Sequence, residues 1–340
     1  MFTLKLIRYI TLIFITFFVI QFGKAYSRSS SGAGASTHIP IGARAEALGG
    51  AFVAVANDSS AFYHNPAGIT IPSWSYLSLN AQRLPMDNYF GTVVFTHSPG
   101  PEGNWAFGIA GNFLYYKDIM KYDSTGNQLG KATNYSDSGY ITIARKFGEN
   151  ENFRMGFNLK FINEKLDNVS AYGGGFDFGA LLSVSFIDIG IMLQDIFTIE
   201  KFSNRSDSIY LDRFIKIGIA TSISDNFKIS LQVDKNLSST ADKVIFRMGS
   251  YFRLWAGKSN LDIKLDNLDN LDNIKEDLNK AFVKKEFREE LYLNVGYGDN
   301  KLGFGITIKK WKMKFDLSTK FEELYFDKMT ILFAMDIPLY

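Results

Sequence analysis

The sequence predicts an all-β chain: a 14-stranded antiparallel transmembrane β-barrel of the kind that spans a bacterial outer membrane. Three observations carry that expectation. From Trp74 onward, apolar and polar residues alternate with a period of two, the mark of strands with unlike faces. The alternating runs are about 8 to 12 residues long, close to the roughly 9–11 that a tilted spanning strand needs and well above the 5–6 of an ordinary strand. A segment with the features of an export signal precedes them.

That segment comes first in the chain. Lys5 and Arg8 give a positive start, Tyr9 to Phe22 form an uncharged apolar run, and Gly23 and Ala25 stand at signal-peptidase spacing. Cleavage is expected after Ala25, with Ser27 as the alternative. A membrane anchor is the competing reading, but fourteen residues are short of the about 20 that a helical span requires. Residues 1–25 are therefore read as a signal peptide, 26–73 as a flexible start followed by a hatch, and 74–340 as the barrel.

Composition narrows the function classes. The 340 residues carry a net charge of +2, which offers no concentrated basic face for nucleic acid. There is no Cys, so disulfides, thiolate chemistry and Cys-based zinc sites are excluded. With 31 Phe, 17 Tyr and 29 Gly against 7 Pro, the chain suits long strands better than a helical bundle.

The alternation is plain in four stretches. Trp105, Phe107, Ile109, Phe113 and Tyr115 oppose Ala106, Gly108, Ala110, Asn112 and Leu114. Phe153, Met155, Phe157, Leu159 and Phe161 oppose Arg154, Gly156, Asn158, Lys160 and Ile162. Phe227 to Asp234 and Trp311 to Ser318 repeat the pattern. A soluble sandwich would turn the bulky face inward; a membrane barrel would turn it to lipid and line its lumen with the small and polar face. Strand length, the signal and the chain end favour the barrel.

The expected strands are 74–82, 88–98, 104–116, 137–146, 153–165, 172–184, 187–195, 211–224, 227–235, 243–255, 290–297, 301–309, 311–319 and 329–339. With the first strand running outward, the long connections 117–136 and 196–210 fall outside and the short ones fall on the periplasmic side, as in known barrels. Residues 256–289 break that rule. They carry a threefold Leu-Asp-Asn repeat and Leu261, Leu265, Leu268, Leu271, Ile274 and Leu278 at helical spacing. They read as a periplasmic insertion, either simply solvated or a docking helix for a partner. The alternating end Ile331, Phe333, Met335, Ile337, Leu339, followed by Tyr340, is an imperfect form of a barrel-assembly signal.

Residues 41–68 have another texture. Small residues dominate, Gly49 and Gly50 allow backbone angles closed to other residues, and Asn65-Pro66-Ala67-Gly68 is a turn sequence. Arg44, Glu46, Asn57 and Asp58 are polar exceptions. They either bond lumen groups such as Lys160, Lys216, Lys228 or Asp234, or face water at the periplasmic mouth. His38, His64 and His97 lack metal-ligand spacing. Gly173-Gly174-Gly175 lacks phosphate-loop context and reads as permitting a bend in a strand. No catalytic constellation and no cofactor is expected.

The stretch Gly42, Arg44, Ala45, Leu48 to Ala54, Asp58, Ser60, Ala61, Tyr63 and Asn65 to Gly68 resembles the N-terminal signature of the PorV/PorQ family, within the FadL-like (long-chain fatty-acid transporter-like) group of outer-membrane proteins. Phe157 to Ile162, Gly174 to Leu182 and Gly249 to Phe252 fit it too. The resemblance implies a 14-strand barrel with an N-terminal hatch inside the lumen, the hatch motif falling on Arg44, Gly49, Gly50, Asp58, Tyr63, Asn65, Pro66, Ala67 and Gly68. It also implies one of two roles. FadL-type members pass fatty acids or other hydrophobic compounds; PorV-type members hold cargo for a secretion machine. His64 and the 256–289 insertion depart from the pattern. The expected partners are outer-membrane lipid, a hydrophobic small molecule lined by Phe52, Phe62 and Tyr63, and a secretion-system or periplasmic protein at loops 117–136 and 196–210. A structural barrel without transport is the third reading.

Overall fold

Alternating side chains oblige each strand to show one face to each side of its sheet, and hydrogen-bonded edges drive such a sheet to close. The computed structural model describes residues 34–72, 74–98, 103–117, 119–148, 151–238, 244–256, 289–310, 313–322 and 325–339. The expected signal, the Ser/Gly/Ala-rich start up to residue 33, the body of the 256–289 insertion and Tyr340 lie outside the described residues.

Fourteen antiparallel strands close into a barrel. In chain order they are β1 (Ser75–Leu84), β2 (Asn88–His97), β3 (Trp105–Tyr115), β4 (Asn134–Phe147), β5 (Phe153–Leu166), β6 (Val169–Val184) and β7 (Ile187–Phe202). Then come β8 (Phe214–Ser224), β9 (Phe227–Asn236), β10 (Val244–Ala256), β11 (Glu290–Gly298), β12 (Lys301–Lys310), β13 (Met313–Glu322) and β14 (Tyr325–Leu339). Each pairs with its sequence neighbours, and β14 pairs with β1 from Ser75–Leu339 to Arg83–Ile331, which completes the ring. The longest described connections, 116–133 and 203–213, lie at one end, called here the loop end. The other is the turn end, where β1 begins and β14 finishes.

The bulky rows face out, which rules out the sandwich. Trp105, Phe107, Ile109, Phe113 and Tyr115 are all exposed, whereas Ala106, Ala110, Asn112 and Leu114 are buried in the lumen. Phe227 is an exception at the turn end: it is buried and stacked on Phe252 with ring centroids 4.3 Å apart.

Outward polar aromatics mark the two borders of the apolar band. At the loop end Arg83, Tyr89, Tyr115, Tyr135 and Lys165 are cross-strand partners in one continuous row over β1 to β5. At the turn end the Arg145 guanidinium lies 5.1 Å from the Trp105 ring and 5.0 Å from the Phe147 ring. Tyr115 and Trp105 stand ten residues apart on β3, about 33 Å along a strand and about 25 Å across a bilayer at the usual tilt, the height of a membrane-embedded band.

The expected strand bounds hold to within four residues except at β7, which runs to Phe202 rather than ending at 195. The region 196–210, expected as a loop, is largely a hairpin: residues 208–210 pair with 199–201. The 117–136 connection contains a small hairpin of its own, 120–122 with 128–131.

Candidate functional site

The lumen is filled by residues 34–72. Their backbone is irregular, with short helices α1 (Ala43–Ala47) and α2 (Ala61–His64) and 3-10 turns at 35–37 and 66–70. An irregular buried backbone needs outside partners for its N–H and C=O groups, and the inward polar face of the strands supplies them. Gln232 Oε1 accepts from Phe52 N and Val53 N at 2.9 and 2.8 Å. Ser230 donates to Ala51 O at 2.8 Å, Asn158 to Phe62 O at 2.6 Å and Gln82 to Pro40 O at 2.7 Å. Arg247 donates to Gly49 O at 3.2 Å.

Glycines on the wall let that backbone come close. Gly156 and Gly179 are cross-strand partners, as are Gly190 and Gly218, and Gly249, Gly296 and Gly303 form one row across β10, β11 and β12. A Cβ on any of the seven would overlap the hatch: Pro66 at the first pair, Val53 at the second, and Glu46 to Gly49 at the row of three. The hatch answers with its own glycines. Gly49 (φ 65°) and Gly50 (φ 77°) turn the chain after α1 in the left-handed region, and a Cβ on Gly49 would run into the Tyr297 backbone.

Asn65 explains its motif. Its Oδ1 accepts from Ala67 N at 3.2 Å, which starts the 3-10 turn with Pro66 at the first position. Its Nδ2 donates to Val53 O at 2.9 Å and to Ala180 O on β6 at 3.0 Å. One side chain thus joins two passes of the hatch to the wall. Ala67 is fully buried, and a Cβ on Gly68 would overlap the Ala56 carbonyl.

The charged hatch residues do bond lumen groups, but not the ones expected. Glu46 pairs with Lys320, and Asp58 with Lys314 at 2.8 Å, both on β13. Arg44 donates to Asn57 at 2.6 Å, reaches Asp58 at 3.3 Å, and lies 5.1 and 5.3 Å from the Phe52 and Tyr251 rings. Lys160 is instead committed to Asp177 at 2.8 Å and to Asp195, Lys228 to Asp188, and Asp234 to Arg247 at 2.7 Å. Lys216 lies 5.6 Å from the Tyr63 ring. Burial alone would raise the Glu46 and Asp58 carboxyls; Lys320 for the first, and Lys314 with Arg44 for the second, outweigh it and hold both below the usual carboxylate range. Burial, and then Lys216, push the His64 imidazole down to about 4, so at neutral pH it is uncharged and its Nε2–H donates to Ile41 O at 2.8 Å.

Among the described residues, three spaces lie around the hatch and the loop end. On the loop side of the hatch a polar vestibule of about 280 Å³ is walled by Tyr63, His64, Lys216, Asp234, Arg247 and Lys320. On the turn side a space of about 110 Å³ lies among Arg44, Asn57, Tyr251, Tyr292 and Lys309. At the loop end an apolar groove of about 580 Å³ runs between Tyr116, Ile119, Leu166, Val169, Phe202 and Ile209. Of the three aromatics expected to line a ligand, Tyr63 borders the vestibule. Phe52 packs on His64 and Phe62 on Tyr140, each at 5.1 Å, inside the core. Sequence reasoning did not single out Lys314, Lys320, Gln232 or the glycine rows. Paired glycines in phase with the inward face were the available signal.

A closed 14-stranded antiparallel barrel whose lumen holds an N-terminal plug defines the class of fold. Three solved structures share the fold. The Ralstonia pickettii toluene transporter TbuX is 12% identical, with 88% of this chain and 98% of that one covered and a TM-score of 0.55. The Pseudomonas putida toluene transporter TodX is 10% identical, with 87% and 97% covered and a TM-score of 0.55. A Pseudomonas aeruginosa FadL homologue is 8% identical, with 92% and 98% covered and a TM-score of 0.51. In sequence, residues 21–164 match the model of an uncharacterised protein family, UPF0164. A UPF0164 protein of Treponema pallidum (strain Nichols) is 31% identical over 127 residues, 36% of this chain and 37% of that protein. The aligned part thus spans little more than a third of the curated relative.

Proposed function

We propose that the chain is an outer-membrane transport barrel that passively admits hydrophobic small molecules, fatty acids among them, with its loop end outside and the hatch as the gate. The observation that carries this is the apolar groove at the loop end above a lumen whose plug is fastened only by noncovalent bonds. The groove would collect an apolar body, and the polar wall of the vestibule, Lys216 included, would receive a polar head. The fold shared with transporters of toluene supports the same reading. Outer-membrane lipid is then the partner of the outward aromatic band.

The test uses a Gram-negative host that lacks its own fatty-acid channel. Expression of this chain should restore uptake of radiolabelled oleate, and Ile209→Asp in the groove should reduce it. Correctly inserted protein with no uptake above the empty vector would refute the proposal.

A second reading, a surface scaffold for secretion, follows from the resemblance of residues 41–68 to PorV/PorQ and from Met120, Tyr122 and Leu129, exposed on the loop-end hairpin. It predicts that replacing residues 119–132 by a short turn abolishes cargo display at the cell surface and leaves oleate uptake unchanged.

A further inference from the structure

We propose that the break in the barrel wall between β7 and β8 is a binding site for a hydrophobic molecule carrying a hydroxyl group. β7 and β8 are paired from Ile187–Thr221 to Gln194–Phe214. Beyond that point β7 continues to Phe202, while the chain opposite, 211–213, is not a strand. Leu211 N donates to Thr198 O at 3.0 Å across the break.

β7 is deformed there. Its pairing with β6 shifts register twice, between Gly174 and Phe176 and between Phe176 and Phe178. Asp195 (φ 61°) and Phe197 (φ 56°) adopt left-handed backbone that costs energy for residues with a side chain. The Gly173-Gly174-Gly175 run makes room for this, because a Cβ on Gly175 would overlap the Thr198 side chain. A costly kink supported from the neighbouring strand is over-determined, which is the condition under which strain serves a site.

The kink opens a cavity of about 540 Å³ with an apolar wall of Phe197, Tyr210, Leu211 and Leu237, within the range of small-molecule pockets. Two polar side chains, Asp195 and Thr198, both fully buried, line it as well. Among the described residues neither Asp195 Oδ2 nor Thr198 Oγ1 has a hydrogen-bond partner. Buried atoms of this kind are costly unless something bonds them.

Charge selects the ligand. Lys160 is shared by Asp177 and Asp195, so the buried triad carries one uncompensated negative charge. Arg213 lines the cavity too, and its Nε donates to Ser238 at 3.4 Å. A neutral hydroxyl completes the site by donating to Asp195 Oδ2 and accepting from Thr198. A hydrocarbon leaves both atoms unbonded, and a carboxylate meets the carboxylate of Asp195 head-on.

Benzyl alcohol, toluene and benzoate form a matched set of probes, titrated onto the purified full chain in detergent by ligand-observed NMR. Benzyl alcohol should bind at least about tenfold more tightly than either of the others, a difference one to two hydrogen bonds can supply. Thr198→Val, nearly isosteric, should weaken it about three- to tenfold with an unchanged unfolding midpoint. Asp195→Asn should remove the preference for the alcohol. Equal binding of toluene or benzoate, or full alcohol affinity in folded Thr198→Val, would overturn the proposal. The site stands on the geometry of the β7–β8 break and not on the loop-end groove, so oleate uptake and alcohol binding can fail independently.

Discussion

Gly249→Ala adds one methyl group to the lumen wall, and the geometry says what it meets. The new Cβ would stand 2.6 Å from Leu48 O and 2.8 Å from Leu48 Cβ. Carbon contacts settle at about 3.5–4.0 Å, so the hatch must retreat by roughly 1 Å at Leu48 or the β10 backbone must yield. Forcing a methylene into a packed core costs typically about 1–3 kcal/mol. The strain falls on the seating of the hatch, because the rest of the ring keeps its pairing. The chain has no Cys, so a single Val55→Cys, on a hatch residue that is buried, gives a unique maleimide target. When opening and closing are fast, labelling follows the open population. One to three kcal/mol corresponds to labelling about 5- to 150-fold faster. Gly139→Ala is the control: its Cβ would meet Ala110 O at 4.0 Å and nothing nearer. If Gly249→Ala labels no faster than Gly139→Ala, the glycine rows are not what admits the hatch.

Lys320→Met should leave the buried Glu46 carboxylate without its cation and loosen the hatch by about 3–5 kcal/mol, most of which the double variant Glu46→Gln/Lys320→Met should restore in the same labelling assay. The buried, uncharged His64 makes hatch stability fall as pH drops from about 6.5 to about 4, because the released hatch binds the proton that the seated one refuses; up to about 3 kcal/mol is at stake. The stability is fully present above that window, and below it Glu46 and Asp58 add their own loss as their depressed carboxyls protonate. His64→Gln should flatten the labelling rate between pH 7 and pH 4.5, and an unchanged slope would count against this cause. Ile109→Arg places a charge in the middle of the outward band and should cost about 2–4 kcal/mol in urea titrations of folding into lipid vesicles, with no loss expected if that face met water.

What the sequence disclosed follows from which face a residue serves. Outward positions answer to one demand, a shared apolar face, so their alternation ran through most of each strand and located the strands to within a few residues. β7 shows where that logic stops: Gln194 and Asp195 are both buried, because the bulge flips the phase, and an alternation reading ends the strand there. The Asn-Pro-Ala-Gly motif was legible as a turn because its residues act locally. The partners of Glu46 and Asp58 were not, since Lys320 and Lys314 lie more than 250 residues away and several other lumen-facing lysines looked equally suitable. Gly156 and Gly179 were visible as small residues, but that they pair and face Pro66 depends on register across strands.

The seam between β1 and β14 imposes an order on biogenesis. The plug is fastened to wall strands all round the circumference, from Gln82 on β1 to Lys314 and Lys320 on β13. Ties spread over so many strands form most directly while the strands curl around the plug, and the first-made wall segment, next to the plug, waits unmated for the last-made one. A chain cut short before Tyr325 should therefore yield no narrower cylinder, but an open sheet with two sticky margins that recruits other chains.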